Sequence, residues 1–220
     1  MVDPAVCPLH SYRGLRDRAL MLLGYATLAS PGALVALDVT DIVQVGYGLE
    51  VTLRHATAVE VGKPSGMQPG VPHKPIAIPY GKHPTTCPVR AWQAWRDATG
   101  LTTGPAFRPV HHRLRVRPPD DPNAATVQTT IQAPSRLGVA AVRKAVRRAA
   151  IAARLGQPET YTGQSLRIGA AVQLHRYGRE SEAEVAGVGG WADADTVRRH
   201  AGVWDEADIW DEPIGARLGL

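Results

Sequence analysis

Gln164-Ser165-Leu166-Arg167-Ile168-Gly169 decides the predicted fold, because it opens an apolar helical run that continues through Leu174. Further along the chain come Gly189-Gly190-Trp191 and then Thr196-Val197-Arg198-Arg199-His200. A helix with an arginine near its start is therefore followed by a glycine pair with a tryptophan, and then by a basic segment that ends in histidine. We interpret the rest of the chain from the order of these three segments.

The composition indicates an ordinary globular protein with a basic charge balance. Of the 220 residues, 44% are hydrophobic and 20% are charged, which is typical of a soluble domain. The formal net charge of +5 favours an anionic partner. The two cysteines, Cys7 and Cys87, lie far apart, which favours free thiols in a reducing cytosol. Because we find no signal peptide and no apolar run of about 18 residues, we expect a cytoplasmic protein with no membrane partner.

Apolar residues recur at helical spacing in several parts of the chain. The first predicted helix has an apolar side made of Leu15, Ala19, Leu20, Leu22, Leu23 and Ala26. Its other side is charged and consists of Arg13, Arg16, Asp17 and Arg18. Pro31 opens a short second helix. A third helix over residues 87–95 places Val89, Trp92 and Trp95 inward. Later helices are predicted over residues 137–155, 164–177, 181–188 and 192–200.

Alternating residues predict a small sheet between the second and third helices. Residues 38–43 and 49–54 alternate like strands on either side of a glycine-containing turn at 46–48. Residues 74–79 predict a third strand, which its prolines confine to an edge. The segments 56–73 and 100–137 are rich in turn formers, and we predict loops there, the second with one strand. The fold class is therefore α+β, mostly helical, with a small antiparallel three-stranded sheet.

The sequence predicts one domain between two less regular ends. Residues 1–11 form a flexible lead-in, and residues 12–203 form the domain. Residues 204–220 form an acidic C-terminal tail that also carries Trp204, Ile209 and Trp210. This tail could dock on its own domain or on a neighbouring protein.

The layout resembles the catalytic domain of the tyrosine recombinase, or phage integrase, family. In that family a His-x-x-Arg helix start is followed by a Gly-His or Gly-Trp pair and then by a tyrosine nucleophile. Other segments match the family in the same order: 16–27, 34–42, 78–81, 87–92 and 104–107. The resemblance implies a fold like that catalytic domain. The family's usual N-terminal core-binding domain has no counterpart, so we expect no two-domain clamp around DNA from this sequence alone.

The resemblance also implies the positions of a phosphoryl-transfer site. Arg167 is retained and Trp191 fits the Gly-Trp variant, whereas Ser30 takes the place of the first arginine. Gln164 replaces the histidine, and His200 stands at the nucleophile position. The family's lysine falls in a loop where Thr57 is the best placement, with Lys63 and Lys74 as alternatives. We therefore expect a degenerate active-site pocket formed by Ser30, Gln164, Arg167, Trp191 and His200.

The family's reaction needs a tyrosine that attacks a DNA phosphodiester, with two arginines and a His or Trp that stabilise the transition state. Because most of these groups are changed, we expect no DNA cleavage through a phosphotyrosine. Tyr161 and Tyr177 flank the motif helix as substitute nucleophiles, and His200 could itself attack or could be an ordinary helix-end histidine. Arg167 is either a phosphate ligand or a structural arginine bound to loop carbonyls.

The helix predicted at 137–155 carries an unusually basic face. Its periodicity predicts an inward side made of Val139, Val142, Val146 and either Ala149 or Ala150. The outward cations are Arg143, Lys144, Arg147, Arg148 and Arg154. Such a face is either solvated or faces phosphates, since each cation can replace a condensed counterion. We expect DNA-phosphate contacts from Arg143, Lys144, Arg147 and Arg148.

The sequence predicts neither a metal site nor a cofactor. His111 and His112 have no cysteine or acidic partner at ligand spacing. No phosphate-binding glycine loop and no dinucleotide fingerprint is present.

Three functions remain open at this point. The first is a catalytically inactive, recombinase-like protein that binds double-stranded DNA in a regulatory or accessory role. It could self-associate or pair with an active recombinase through the tail. The second is a repurposed enzyme whose pocket accepts a small polar or anionic metabolite. The third is a remnant of a mobile element that folds and does little. We favour the first.

Overall fold

The computed structural model of the chain describes residues 11–53, 75–110, 135–178, 180–191 and 193–201. The α-helices in these ranges are α1 Tyr12–Thr27, α2 Pro31–Ala36, α3 Pro88–Thr99, α4 Val139–Ala152, α5 Gly163–Arg176, α6 Glu182–Gly189 and α7 Ala194–Ala201. The strands are β1 Ile42–Val45, β2 Gly48–Val51 and β3 Ile76–Pro79. The fold is thus mostly helical with one small sheet, as the sequence predicted. In the described part of the chain no helix is both long and apolar enough to span a membrane.

Helix α1 is the central element of the larger core. The Ser11 side chain caps its N-terminus by accepting a hydrogen bond from the Gly14 amide at 3.0 Å. The apolar side predicted for this helix is buried against α3, the sheet and α4, and its most buried members are Ala19, Leu20 and Leu23. The helix ends at Leu28, whose backbone is left-handed with φ of 52°. Ser11 is itself buried, so the last residue of the predicted lead-in is fixed in place.

The predicted charged side of α1 is wrong for two of its four residues. Arg16 and Asp17 are only 4% and 7% exposed. The Asp17 carboxylate accepts hydrogen bonds from Arg16 Nη2 at 2.6 Å and from Arg148 Nη2 at 2.5 Å. Arg16 Nη1 also donates to the Arg108 carbonyl at 3.2 Å. The pairing of Arg16 with Asp17, together with the distant partners Arg148 and the Arg108 carbonyl, allows the charges to be buried, because a buried charge must be paired and hydrogen-bonded.

The sheet has the strand order β1-β2-β3, with both pairs antiparallel. Ile42, Leu49, Val51 and Ile78 point into the core. The edge position predicted for the third strand is confirmed. The strand predicted over 38–43 is wrong in its first half, which is a 3-10 helix, Val39–Asp41. The Asp38 amide donates to the Asp41 carboxylate at 2.8 Å, and this local bond favours a turn over an extended strand.

Helix α3 supplies the large aromatic part of the core. Val89, Trp92 and Trp95 are buried, which confirms the predicted inward face. Trp95 Nε1 donates to the Ala106 carbonyl at 2.8 Å. Phe107 meets the Trp92 ring edge to face, with the ring centres 6.1 Å apart. Residues 100–110 and 135–137 of the predicted 100–137 loop contain no strand, and the rest of that loop lies outside the described residues.

Helix α4 buries Val142, Val146 and Ala150, as its periodicity predicted. The prediction that Val139 faces inward is wrong, because its side chain is 50% exposed. Val139 is the first residue of the helix, and Val142, one turn further along, is the first residue of α4 to enter the core.

A second, smaller apolar cluster joins the end of α1 to the last three helices. Its buried members are Leu28, Ala170, Ala171, Val185, Ala186 and Val197. Trp191 packs against this cluster. The helices predicted at 181–188 and 192–200 are therefore confirmed as α6 and α7. The tail predicted at 204–220 lies outside the described residues, as does the loop predicted at 56–73.

The burial of Asp17 leads to a stability prediction. Asp17→Asn removes the charge that holds Arg16 and Arg148, and leaves the Arg16 guanidinium buried without its counter-charge. We expect the free energy of unfolding to fall by about 3–5 kcal/mol, measured by urea denaturation. Asp97→Asn is the control, because Asp97 pairs with Arg96 on the surface and such pairs contribute about 0–1 kcal/mol. Equal effects of the two substitutions would contradict the assigned role of Asp17.

Candidate functional site

The start of α5 is fixed by a close approach of three helices. A Cβ atom at Gly163 would lie 2.7 Å from Pro31 Cγ and 2.9 Å from Val142 Cγ1. Only glycine therefore lets the first residue of α5 sit between the start of α2 and the first turns of α4. Thr162 caps α5 in a capping box with Ser165, which satisfies backbone amides of the first turn. This junction places the motif stretch beside the end of α1.

Arg167 lies in this junction and is 9% exposed. Its Nη1 donates a hydrogen bond of 2.8 Å to the carbonyl of Leu28. Leu28 is the residue that ends α1, so the cation lies at the negative end of the helix dipole, where positive charge is favoured. Of the two roles left open by the sequence, that of a structural arginine bound to a carbonyl is present in the structure.

Trp191 covers the other side of the Arg167 guanidinium. The central carbon of the guanidinium lies 3.9 Å from the centre of the Trp191 ring, which is a close cation–π contact. The motif arginine and tryptophan, which the sequence placed in one pocket, are therefore in direct contact.

The two glycines before Trp191 explain how the indole reaches Arg167. Gly190 ends α6 with φ of 66°, a left-handed conformation that glycine adopts without steric cost. The Trp191 amide then donates to the Ala186 carbonyl at 3.0 Å, which turns the chain back. A Cβ atom at Gly189 would lie 1.9 Å from Trp191 Cζ3, so the ring occupies the space that any other residue would fill.

Burial lowers the pKa of Arg167 from its ordinary, higher value to about 10. The guanidinium is still charged near neutral pH, since this pKa lies well above 7. The structure gives it one hydrogen-bond acceptor, the Leu28 carbonyl, among the described residues. A guanidinium has five N–H donors, so most of the donors of Arg167 have no acceptor among the described residues.

Ser30 and Gln164 are each adjacent in sequence to one of the residues that meet at the junction, Pro31 and Gly163. The Ser30 hydroxyl caps α2 by accepting a hydrogen bond from the Ala33 amide at 3.2 Å. Gln164 is half-buried in the first turn of α5, three residues before Arg167. Positions three residues apart lie on the same side of a helix, so Gln164 shares a face with Arg167.

The remaining predicted site residues are placed only in part. His200 belongs to α7, which packs on α5, but its side chain lies outside the described residues. Lys63 and Lys74 also lie outside them, and so does Thr57. No group of three or more metal-ligating side chains occurs in the described ranges.

The expectation that all five cations of α4 face outward is wrong for Arg147 and Arg148. Arg147 is half-buried and donates to the carbonyls of Tyr161 and Glu159, while Arg148 binds Asp17. Both guanidinium groups therefore connect α4 to other parts of the molecule. Arg154 is exposed just beyond the end of α4.

Arg143 and Lys144 are exposed on α4. Neither has a hydrogen bond or ion pair to any residue that the structure describes. Together with Arg154, they are the members of the predicted basic face that have no such partner among the described residues.

Sequence reasoning missed the Leu28 carbonyl, which is the direct partner of Arg167. The resemblance to the recombinase family pointed to Ser30, two residues later, because such a resemblance is based on side-chain identities. A backbone carbonyl has no side-chain signature, and Leu28 is not one of the residues that usually adopt a left-handed backbone. The hydrogen bonds from Arg147 to the carbonyls of Glu159 and Tyr161 were missed for the same reason.

The chain is similar to a curated protein described as an integrase/recombinase xerD homolog from Selenomonas ruminantium, with 34% identity over 97 residues. The match covers 44% of this chain and 26% of that protein, so it spans about a quarter of the length of the relative. No protein-family model matches the chain. The partial similarity supports the resemblance to tyrosine recombinases, and the mostly helical fold with its three-stranded antiparallel sheet is compatible with the catalytic domain of that family.

The contact between Arg167 and Trp191 can be measured by a double-mutant cycle. We expect Arg167→Met and Trp191→Leu to show a coupling free energy of about 1–2 kcal/mol, because the cation is largely removed from water. The free energy of unfolding of the single and double variants in urea gives this value. The control cycle is Arg90→Met with Tyr80→Leu, an exposed pair 5.3 Å apart, for which we expect a clearly smaller coupling. A coupling near zero in the first cycle would contradict the assigned contact.

Proposed function

We propose that the chain is a recombinase-like protein that binds double-stranded DNA and does not cut it through a phosphotyrosine. The proposed role is regulatory or accessory to strand exchange. The partial similarity to an integrase/recombinase supports the DNA-binding part. The observation that carries the proposal is Arg167, a largely buried and still charged guanidinium with one hydrogen-bond acceptor among the described residues.

The chemistry of a phosphodiester suits this site. Arginine offers a planar fork of N–H donors that matches phosphate oxygens. Trp191 and the Leu28 carbonyl hold the guanidinium in one orientation. A bound phosphate would therefore meet a cation whose position is already set, which lowers the ordering cost of binding.

Several neighbouring groups favour binding over catalysis. Ser30 carries no charge, and its oxygen is already used as the α2 cap. The Gln164 amide cannot exchange a proton near neutral pH. In enzymes that use such donors, the loss of one costs roughly 100- to 1000-fold in rate. The assignment of His200 to the nucleophile position is part of the proposal, and imidazole there would leave the site without an attacking phenol.

A second contact to DNA is proposed for Arg143 and Lys144, the exposed cations of α4. Each phosphate contact releases condensed counterions, so affinity falls as salt rises. Arg147 and Arg148 are left out of the proposed DNA contacts, because both guanidinium groups are bound within the molecule. Association with itself or with an active recombinase through residues 204–220 is part of the proposed accessory role.

The binding is tested by measuring the fluorescence anisotropy of a fluorescein-labelled duplex with the protein at a series of salt concentrations. We expect log affinity to fall linearly with log salt concentration. Arg143→Ala with Lys144→Ala should reduce the slope by about 1.8, since each phosphate contact contributes about 0.9. Arg96→Ala with Arg198→Ala is the matched control, because both arginines are already paired with carboxylates at the surface.

The same incubation, analysed on a denaturing gel, tests the absence of cleavage. We expect no DNA that migrates with the protein. A covalent adduct at any tyrosine, including Tyr161 and Tyr177, would overturn the inactive assignment. Absence of any duplex binding by the unaltered protein at low salt would overturn the proposed function as a whole.

A further inference from the structure

A basic surface lies between β3 and α3, away from the residues assigned above. The segment from Pro79 to Thr86 is exposed along almost all of its length. Lys82 lies within it, and the guanidinium groups of Arg18 and Arg90 are bound to it. We name these three residues the β3–α3 patch.

Arg18 reaches the patch from α1. Its Nη2 donates to the Pro84 carbonyl at 2.7 Å, and its Nε donates to the Thr85 carbonyl at 3.0 Å. These bonds fix the direction of the guanidinium, but a carbonyl is neutral and leaves the charge in place. The neighbouring carboxylate, Asp17, is buried and bound to Arg16 and Arg148.

Arg90 is held in a similar way from the first turn of α3. Its Nη1 donates to the Gly81 carbonyl at 3.2 Å, and its guanidinium lies 5.3 Å from the centre of the Tyr80 ring. Tyr80 is in turn fixed by a hydrogen bond of 3.1 Å from Gln93 Nε2 to its hydroxyl. Arg90 is therefore positioned by a neutral carbonyl and an aromatic face.

Within the part of the chain that the structure describes, the patch has no carboxylate bound to its cations. The described residues between Val51 and Arg96 contain no aspartate or glutamate. None of the three cations has an ion pair with a residue in the described ranges, whereas Arg96, Arg136 and Arg198 each pair with a carboxylate. Three cationic side chains therefore lie on one short surface, and two of them, Arg18 and Arg90, are hydrogen-bonded to its backbone.

We infer that the β3–α3 patch is a contact surface for the phosphodiester backbone of double-stranded DNA. This inference rests on the proposed function and adds a second surface to it. Arg18 and Arg90 are fixed in direction by neutral carbonyls and are not neutralised. This arrangement suits a polyanion, since phosphate contacts position a protein on a duplex without reading its sequence. An acidic protein partner is less suited, because protein interfaces centre on buried apolar groups, and Tyr80 is the large apolar side chain that the patch exposes.

The test is the salt dependence of duplex binding by Lys82→Ala with Arg90→Ala. We expect the slope of log affinity against log salt to fall by about 1.8, the share of two phosphate contacts. The loss should be similar for duplexes of unrelated sequence. Arg96→Ala with Arg198→Ala again removes two surface cations and should leave the slope unchanged.

Lys82→Glu keeps the test decisive if the Arg90 substitution disturbs the fold. Lys82 is exposed and has no partner among the described residues, so its reversal should leave the urea unfolding curve unchanged and still weaken DNA binding. If the unaltered protein binds duplex and both patch variants bind equally well with the same slope, the inference is wrong while the proposed function stands. If the unaltered protein binds no duplex, both are overturned. Weakened binding of an acidic peptide with unchanged binding of DNA would assign the patch to a protein partner instead.

Discussion

The contact of the Arg167 guanidinium with the Leu28 carbonyl and the Trp191 ring is the interaction on which the second half of the structure depends. A cation taken out of water is costly unless it finds compensating partners. Here one partner ends α1 and the other follows α6, while Arg167 itself belongs to α5. The buried charge therefore fixes how three helices meet. Among the described residues the guanidinium has no hydrogen-bond acceptor besides the Leu28 carbonyl, and the proposed phosphate contact is based on this.

The glycines of the motif region follow from this junction. Gly163 permits the approach of α5 to Pro31, and Gly189 gives space to the Trp191 ring. Gly190 supplies the left-handed turn that brings the indole back. A second buried ionic group, Asp17 with two arginines, joins α1 to α4 in the larger core. Both groups tie α1 to helices that lie more than a hundred residues later in the sequence.

Much of the fold could be predicted from local patterns, because helical and strand periodicities are properties of neighbouring residues. The helices and the edge strand were predicted in this way, whereas the placement of Arg167 and Trp191 in one pocket was implied by the resemblance to the recombinase family. The burial of Arg16 and Asp17 could not be predicted from local patterns, since it depends on Arg148 and on the backbone of Arg108. The same limit applies to the outward face expected for α4, where distant carbonyls and a carboxylate bind two of its arginines. The Leu28 carbonyl could not be predicted as the partner of Arg167, because every residue has a backbone carbonyl and residue identity does not show which one binds.

The central claim is that Trp191 covers a charged Arg167, and nuclear magnetic resonance of the arginine Nε–Hε group tests it most directly. In protein labelled with ¹⁵N, Arg167→Lys identifies the signal by its disappearance. The account predicts that the Hε resonance is displaced upfield by the indole ring current and exchanges slowly with water at neutral pH. It also predicts that Trp191→Leu returns the resonance toward the position of a solvent-exposed arginine. An Arg167 signal at that exposed position in the unaltered protein would contradict the account.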